Sequence, residues 1–330
     1  MTAFSASASR QGKSDVELLL SEPIQALVAI NVLLTLSLLF PFATGVWSLG
    51  MPGFMAVGAY ASSWLTVTHQ WPIGLAIAAG AVAGALVTLP FAMLTLRIRE
   101  IYLAIATLAA AELILLFFSH YKGTGAVMGL TGMPYLDVHW IVGLAVAAIA
   151  VASLLYNSRL GKALVAVGSD PVVASCHGLN VPALQFTALA IGGALAGLAG
   201  GCFAHYYSFI SPANFGFHRT TDILMFLVVG GLTPLGAVLG ATVLSVIPQV
   251  VTSLEKWAPA LYGVIVLLMA IYMPAGLLPK NRITGWLRPR KGRRGGAAVA
   301  TTPPASRKAQ PATPPAPPVL RPATEGSDHA

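Results

Sequence analysis

The sequence predicts an all-α polytopic membrane protein with about eight to nine transmembrane helices, some of them broken or re-entrant. Three observations carry this. Hydrophobic residues make up 56% of the 330-residue chain and charged residues only 9%, against about 25% charged in a soluble domain. No Lys, Arg, Asp or Glu occurs from Ile24 to Leu96. The apolar runs are continuous and long enough to cross a bilayer core, which takes about 20 helical residues. A soluble helix bundle would keep a polar face on each helix. A transmembrane β-barrel would alternate apolar and polar residues in segments of about ten.

Residues 1–20 form a polar lead with no cleavable signal pattern. Ile24–Ala43 is the first span. Thr44–His69 follows and is interrupted by GVWSLGMPG, where Gly45, Gly50, Pro52 and Gly53 oppose an unbroken helix. Pro72–Leu96 is a span, followed by the link Arg97-Ile98-Arg99-Glu100 and the span Ile101–Phe118. Ser119–His139 is a Gly-rich loop, and Trp140–Tyr156 is the next span. Asn157–Pro182 is a long, moderately polar segment with Arg159, Lys162 and Asp170 among apolar residues at helical spacing. Ala183–Tyr206 is a Gly/Ala-rich span, and Tyr207–Arg219 is a loop. Thr220–Thr252 is apolar but broken by GGLTPLG. As one helix it would measure roughly 50 Å, too long for one span and too short for two. A broken helix or re-entrant hairpin fits. Pro259–Leu278 is the last span.

The chain thus divides into the lead (1–20), a transmembrane domain (21–279) and a tail (280–330). The tail opens on a basic cluster and continues as TPPASRKAQPATPPAPP, a composition expected to stay disordered. Its basic cluster suits anionic lipid headgroups or a stop-transfer flank. The net charge of +8 is no sign of nucleic-acid binding, because 10 of the 19 Lys and Arg lie at or beyond Lys280. Positive-inside bias accounts for it and puts the Arg97/Arg99 link, the 157–182 segment and the tail in the cytoplasm. The 119–139 and 207–219 loops then face outward. The N-terminus is outside if 44–69 is one span and inside if it is a hairpin.

Small residues recur four apart at Gly80 and Gly84, at Gly193, Gly197 and Gly201, and at Gly236 and Gly240. In lipid such spacing allows close helix approach. The breaks at Gly45–Gly53 and Gly230–Gly236 matter more for function. Irregular backbone at membrane depth survives only where protein buries it or it lines a cavity, and one break in each half of a chain points to a translocation site. Ordinary loops between short helices are the plain alternative. Ser48, Gly50, Gly53, Gly230 and Gly231 are the candidate path residues at the breaks. Glu112 is the one carboxylate well inside a confident span, and its cost there requires it to face protein or water. Glu112 and Thr107 are candidate points on the path, and a structural hydrogen bond of Glu112, for example to Thr107, is the plain alternative. Arg219 and Asp222 read as a helix cap.

The seven histidines are scattered without a ligand motif, the two cysteines imply no disulfide framework, and neither metal nor cofactor is expected. Gly12-Lys13-Ser14 lacks the upstream glycine of a phosphate loop, Ser7 standing there. With no nucleotide site and no catalytic constellation, the chain is not an enzyme acting alone. A long cytoplasmic segment in such a chain suits docking to a motor protein. An ion-coupled secondary carrier is the alternative, but it would show more ionisable groups in its spans.

Four stretches carry a family resemblance: GVWSLGMPGFMAVGAYASS (45–63), REIYLAIATLAAAELI (99–114), RLGKALVAVGSDPVVASCHGLNV (159–181) and FLVVGGLTPLGAVLGA (226–241). In this order they resemble the branched-chain amino-acid ABC transporter permeases of the LivM-type subunit. The resemblance implies import of a small-molecule substrate through the bacterial inner membrane. It also implies a LivH-like second permease subunit, two cytoplasmic ATPase subunits and an extracytoplasmic solute-binding protein. It makes 157–182 the ATPase-coupling loop, with Arg159, Gly161, Lys162, Asp170 and Gly178 as its candidate residues. Relatives of the family also import urea, short amides or aromatic acids. The chain departs from the family pattern at Gly168-Ser169-Asp170-Pro171, at Ser175-Cys176-His177 and at Thr233-Pro234.

Overall fold

The computed structural model describes residues 21–95, 100–250, 263–264 and 267. The lead, most of the Arg97–Glu100 link, nearly all of the Pro259–Leu278 span and the tail lie outside the described residues. Ten helices are described: α1 (Glu22–Ala43), α2 (Met51–His69), α3 (Ile73–Thr95), α4 (Glu100–His120), α5 (Val138–Asn157), α6 (Arg159–Ser169), α7 (Pro171–Cys176), α8 (Val181–Tyr207), α9 (Phe217–Gly230) and α10 (Pro234–Val250). Short strands β1 (Leu130–Thr131) and β2 (Phe209–Ile210) pair antiparallel. This ladder joins the two loops between spans and was not visible in their composition.

Of these helices, α1, α3, α4, α5 and α8 are long and apolar enough to cross a membrane. The fold is an all-α polytopic membrane bundle. α1 is its central element, with 83% of its apolar window buried inside the chain, against 28% for α5. α2 is less apolar because of its hydroxyls, but these bond within the helix. Ser63 Oγ donates to Ala59 O at 2.7 Å, and Thr66 Oγ1 donates to Ser63 O at 3.0 Å. Such back-bonding removes the cost of an unmet donor in an apolar setting.

Glycines set the helix packing. A Cβ on Gly84 would lie 2.5 Å from Gly193 O and 2.9 Å from Gly197 Cα. On Gly80 it would lie 2.6 Å from Gly58 O, and on Gly58 it would collide with the Gly197 backbone. α2, α3 and α8 therefore meet backbone to backbone. Gly236 and Gly240 perform the same task between α9 and α10.

The contacts also fix helix direction. Gly201 lies beside Ile77 and Gly193 beside Thr88, so α3 and α8 are antiparallel. Gly50 lies on Thr107, Gly53 on Ala111, and Tyr60 stacks on Phe118, so α2 and α4 are parallel. One end of the bundle holds the β-ladder, with Leu136 N donating to His205 O. The opposite end holds α6 and α7. α1 ends against α6 and so starts at the ladder end. α2 is a single helix running to the ladder end. α9 descends from the ladder end, and α10 returns toward it.

Candidate functional site

Both backbone breaks are shorter than the sequence suggests. Met51 and Pro52 already open α2, so the first break is residues 44–50. Pro234 opens α10, so the second is residues 231–233. Proline is at home in the first helical turn, where its missing N–H has no intrahelical acceptor to lose. Gly231 has φ +96°, a conformation that L side chains rarely adopt.

The first break is tied down from two sides. Leu49 N donates to Thr107 Oγ1 on α4 at 2.9 Å, and Thr220 Oγ1 on α9 reaches Leu49 O at 3.5 Å. Ser48 is fully buried. Gly50 and Gly53 let the segment lie against α4, since a Cβ on Gly53 would sit 2.6 Å from Ala111 Cα. The structure therefore brings Ser48, Gly50, Gly53 and Thr107 into one cluster. Gly230 and Gly231 stand apart from it, at the α6 end of the α9–α10 hairpin. Glu112 stands apart as well. It is exposed on the outer surface of α4, while Thr107 bonds the break rather than Glu112. Arg219 is no cap: Gly216 occupies that position, and the guanidinium lies over the Phe203 ring, 5.9 Å from its centroid.

The 157–182 segment folds as a helix pair. Ser158 caps α6, its Oγ accepting from Gly161 N at 3.3 Å. Gly161, Leu164 and Val167 face inward, whereas Arg159 and Lys162 are exposed. Gly161 admits the Tyr156 carbonyl where a Cβ would collide. Asp170 caps α7, Oδ1 accepting from Val172 N at 2.9 Å and Val173 N at 3.0 Å. Gly178, at φ +80° with nothing near its missing Cβ, makes the left-handed turn out of α7. α7 also exposes Val172 and Val173.

This helix pair touches the first break, and the end of α5 against which Gly161 packs touches the second. Gly168 of α6 packs on the Ala43 carbonyl and Gly45 N, where the first break begins. Tyr156, at the end of α5 just before α6, donates its hydroxyl to Leu232 O in the second break at 2.7 Å. Sequence reasoning singled out the breaks and the segment but not Gly168 or Tyr156 as their links. Only the close approach of distant residues reveals these. His205 was likewise missed. It is buried, with Nδ1 2.8 Å from Gly201 O and Nε2 3.3 Å from Thr66 Oγ1, and it joins α8 to α2. Among the described residues no three His, Cys, Asp or Glu cluster as a metal site would require.

The cap role of Asp170 makes a prediction. Asp170→Asn keeps an acceptor and should leave the chain intact in the membrane. Asp170→Ala should cost about 1 kcal/mol of local helix stability. Hydrogen exchange at Val172 and Val173 checks this, and equal protection in both variants would refute it.

The family model for the permease component of the branched-chain amino acid transport system matches residues 22–274. The chain belongs to this branched-chain amino-acid transport permease family. Within the family it is 28% identical over 298 residues to the high-affinity permease protein LivM of Salmonella typhimurium, covering 77% of this chain and 67% of the relative. It is 25% identical over 307 residues to the nucleoside ABC transporter permease NupC of Lactococcus lactis, covering 78% and 95%. The LivH permease of Salmonella typhimurium aligns over 149 residues at 27%, covering 44% and 48%. No solved structure matches the chain. The matched family region takes in both breaks and the α6–α7 pair, so these features belong to the permease body.

Proposed function

We propose that the chain is one membrane-spanning subunit of an ATP-driven importer of branched-chain amino acids. On this reading it pairs with a LivH-like second permease. Two cytoplasmic ATPase subunits dock on α6 and α7, and an extracytoplasmic solute-binding protein delivers substrate to the ladder end. The chain lies in a bacterial inner membrane with α6, α7 and the tail in the cytoplasm. Arg159, Gly161, Lys162, Asp170 and Gly178 shape the docking surface. Ser48, Gly50, Gly53, Thr107, Glu112, Gly230 and Gly231 border the path.

The observation that carries this reading is the junction of the exposed helix pair, together with the end of α5 that leads into it, with two backbone breaks. Motion applied to α6 reaches the first break through Gly168 and the second through the Tyr156–Leu232 hydrogen bond. Breaks lack the continuous helical ladder and give way before intact helices do. A carrier powered by ions would have no use for that linkage. The test is uptake by proteoliposomes holding the chain with its second permease, ATPase and binding-protein partners, across amino acids, urea, aromatic acids and nucleosides. ATP-dependent uptake of leucine, isoleucine and valine is expected. Uptake by the chain alone on a proton or sodium gradient would refute the reading.

A further inference from the structure

The segment between β2 and α9 is not confined to the ladder surface. Thr107 lies 13 residues before the end of α4 at His120, roughly 20 Å along the axis. Leu49 bonds Thr107 through its N–H and Thr220 through its carbonyl, so Thr220 stands at the same depth. Thr220 is in the first turn of α9, so α9 opens roughly 15 Å inside the ladder end. The residues before it descend that far without α-helix, apart from the 3-10 turn Pro212–Phe215. Pro212, Ala213 and Gly216 accordingly form one wall of an open groove of about 590 Å³, and α4 from Ala109 to Ser119 forms the other. Non-helical backbone at membrane depth persists where protein buries it or where it borders a watery cavity. Ser211–Gly216 has both kinds of neighbour: Pro212 and Phe215 are buried, whereas Ala213 and Asn214 are exposed.

This segment lies over the first break. Its turn packs on α2 and α4, the two helices that flank the break. Phe215 is 1% exposed, and its ring meets Phe203 of α8 edge-on at 5.5 Å. Phe215 therefore fills the space among α2, α4 and α8 on the ladder side of Leu49. The segment is also built to move. Ser211 Oγ donates to Asn214 Oδ1 and Asn214 N donates to Ser211 O, which keeps the turn compact as a unit. Gly216 joins it to α9 in open space, since a Cβ there would meet only Ala213 O, at 3.8 Å. The groove leaves room beside it, and a segment without a helical ladder gives way before intact helices do. We propose that Ser211–Gly216 is a re-entrant gate on the ladder side of the first break, with Phe215 as its stopper. It swings relative to α4 to admit a solute and returns to seal the break. The inference rests on the importer reading and adds to it the element that closes the path from outside.

The test uses the whole transporter with its partner subunits in proteoliposomes and leucine as the probe. Phe215→Ala removes the stopper and should raise leucine leak without ATP by about tenfold or more, because the packing that holds the closed state is lost. Phe215→Leu keeps apolar bulk and should stay as tight as the unaltered transporter. A second arm leaves the core untouched. Ser119 and Ala213 stand on opposite walls of the groove. Ser119→Cys with Ala213→Cys, joined by a reducible bis-methanethiosulfonate reagent and checked by mass, should lose ATP-driven uptake and regain it on reduction. Each single variant carrying the same reagent should keep most of its uptake. Uptake undiminished by the bridge would overturn the inference. So would an equal loss in the singly labelled variants, or a Phe215→Ala transporter that does not leak. In each of these cases ATP-driven uptake by the unaltered transporter leaves the importer reading standing. Absence of ATP-driven uptake of any solute would overturn that reading, and the gate with it.

Discussion

Replacing Val172 and Val173 together by Asp should abolish ATP-driven uptake while the chain still accumulates in the membrane. Val172 is 70% exposed and Val173 50% exposed, so neither supports the core. Surface changes of this kind usually shift stability by no more than about 0.5 kcal/mol. Both positions lie in the first turn of α7, where acidic residues favour the helix dipole. The helix pair should therefore fold as before. The exposed apolar surface at the proposed docking site would instead carry two charges. Each 1.4 kcal/mol lost there weakens association about tenfold. Copurification of the ATPase subunits is the measurement. Loss of the ATPases with retained membrane protein is expected, and full retention of both would contradict the docking role.

The second large effect concerns packing. Gly58→Leu should remove the folded chain from the membrane altogether. A Cβ at Gly58 meets the backbone of Gly197, which cannot rotate away as a side chain can. α2 and α8 must separate, and α3 loses its seat on both. Overpacking of ordinary cores costs about 1–3 kcal/mol, and a three-helix backbone contact is a severe case. Gly74→Ala and Gly143→Ala are internal controls, because a Cβ at either meets nothing within 4 Å. Detergent-extracted yield and thermal melting of the three variants check the contrast. A Gly58→Leu protein that melts with the unaltered chain would refute it.

Much of the fold could be read before any contact was known. Unbroken apolar runs fixed α1, α3, α4, α5 and α8, since a bilayer admits few alternatives to helix. Glycines four apart marked the faces of α3 and α8 that meet. Ser158, Asp170 and Gly178 are local capping chemistry, and a sequence displays such chemistry openly. What stayed hidden depends on distant partners. Gly168 looks like a weak point in α6 until the Ala43 carbonyl is seen against it. Tyr156 looks like an interfacial aromatic until its hydroxyl is found on Leu232. The β1–β2 ladder holds only two residues per strand, too few for a periodic signal. Glu112 was legible as an anomaly, but its place on the exposed face of α4, away from the first break that Thr107 holds, was not.

The central claim is that α6 and α7 form a cytoplasmic docking surface, and the native cysteines test it directly. Cys176 on α7 is exposed, whereas Cys202 on α8 is buried. The measurement is labelling by a membrane-impermeant maleimide in sealed vesicles of either orientation, with and without the ATPase subunits. Cys176 should label in inside-out vesicles stripped of ATPase, fall by about an order of magnitude when the ATPases rebind, and stay unlabelled in right-side-out vesicles. Labelling from the outside, or labelling undiminished by bound ATPase, would contradict the account.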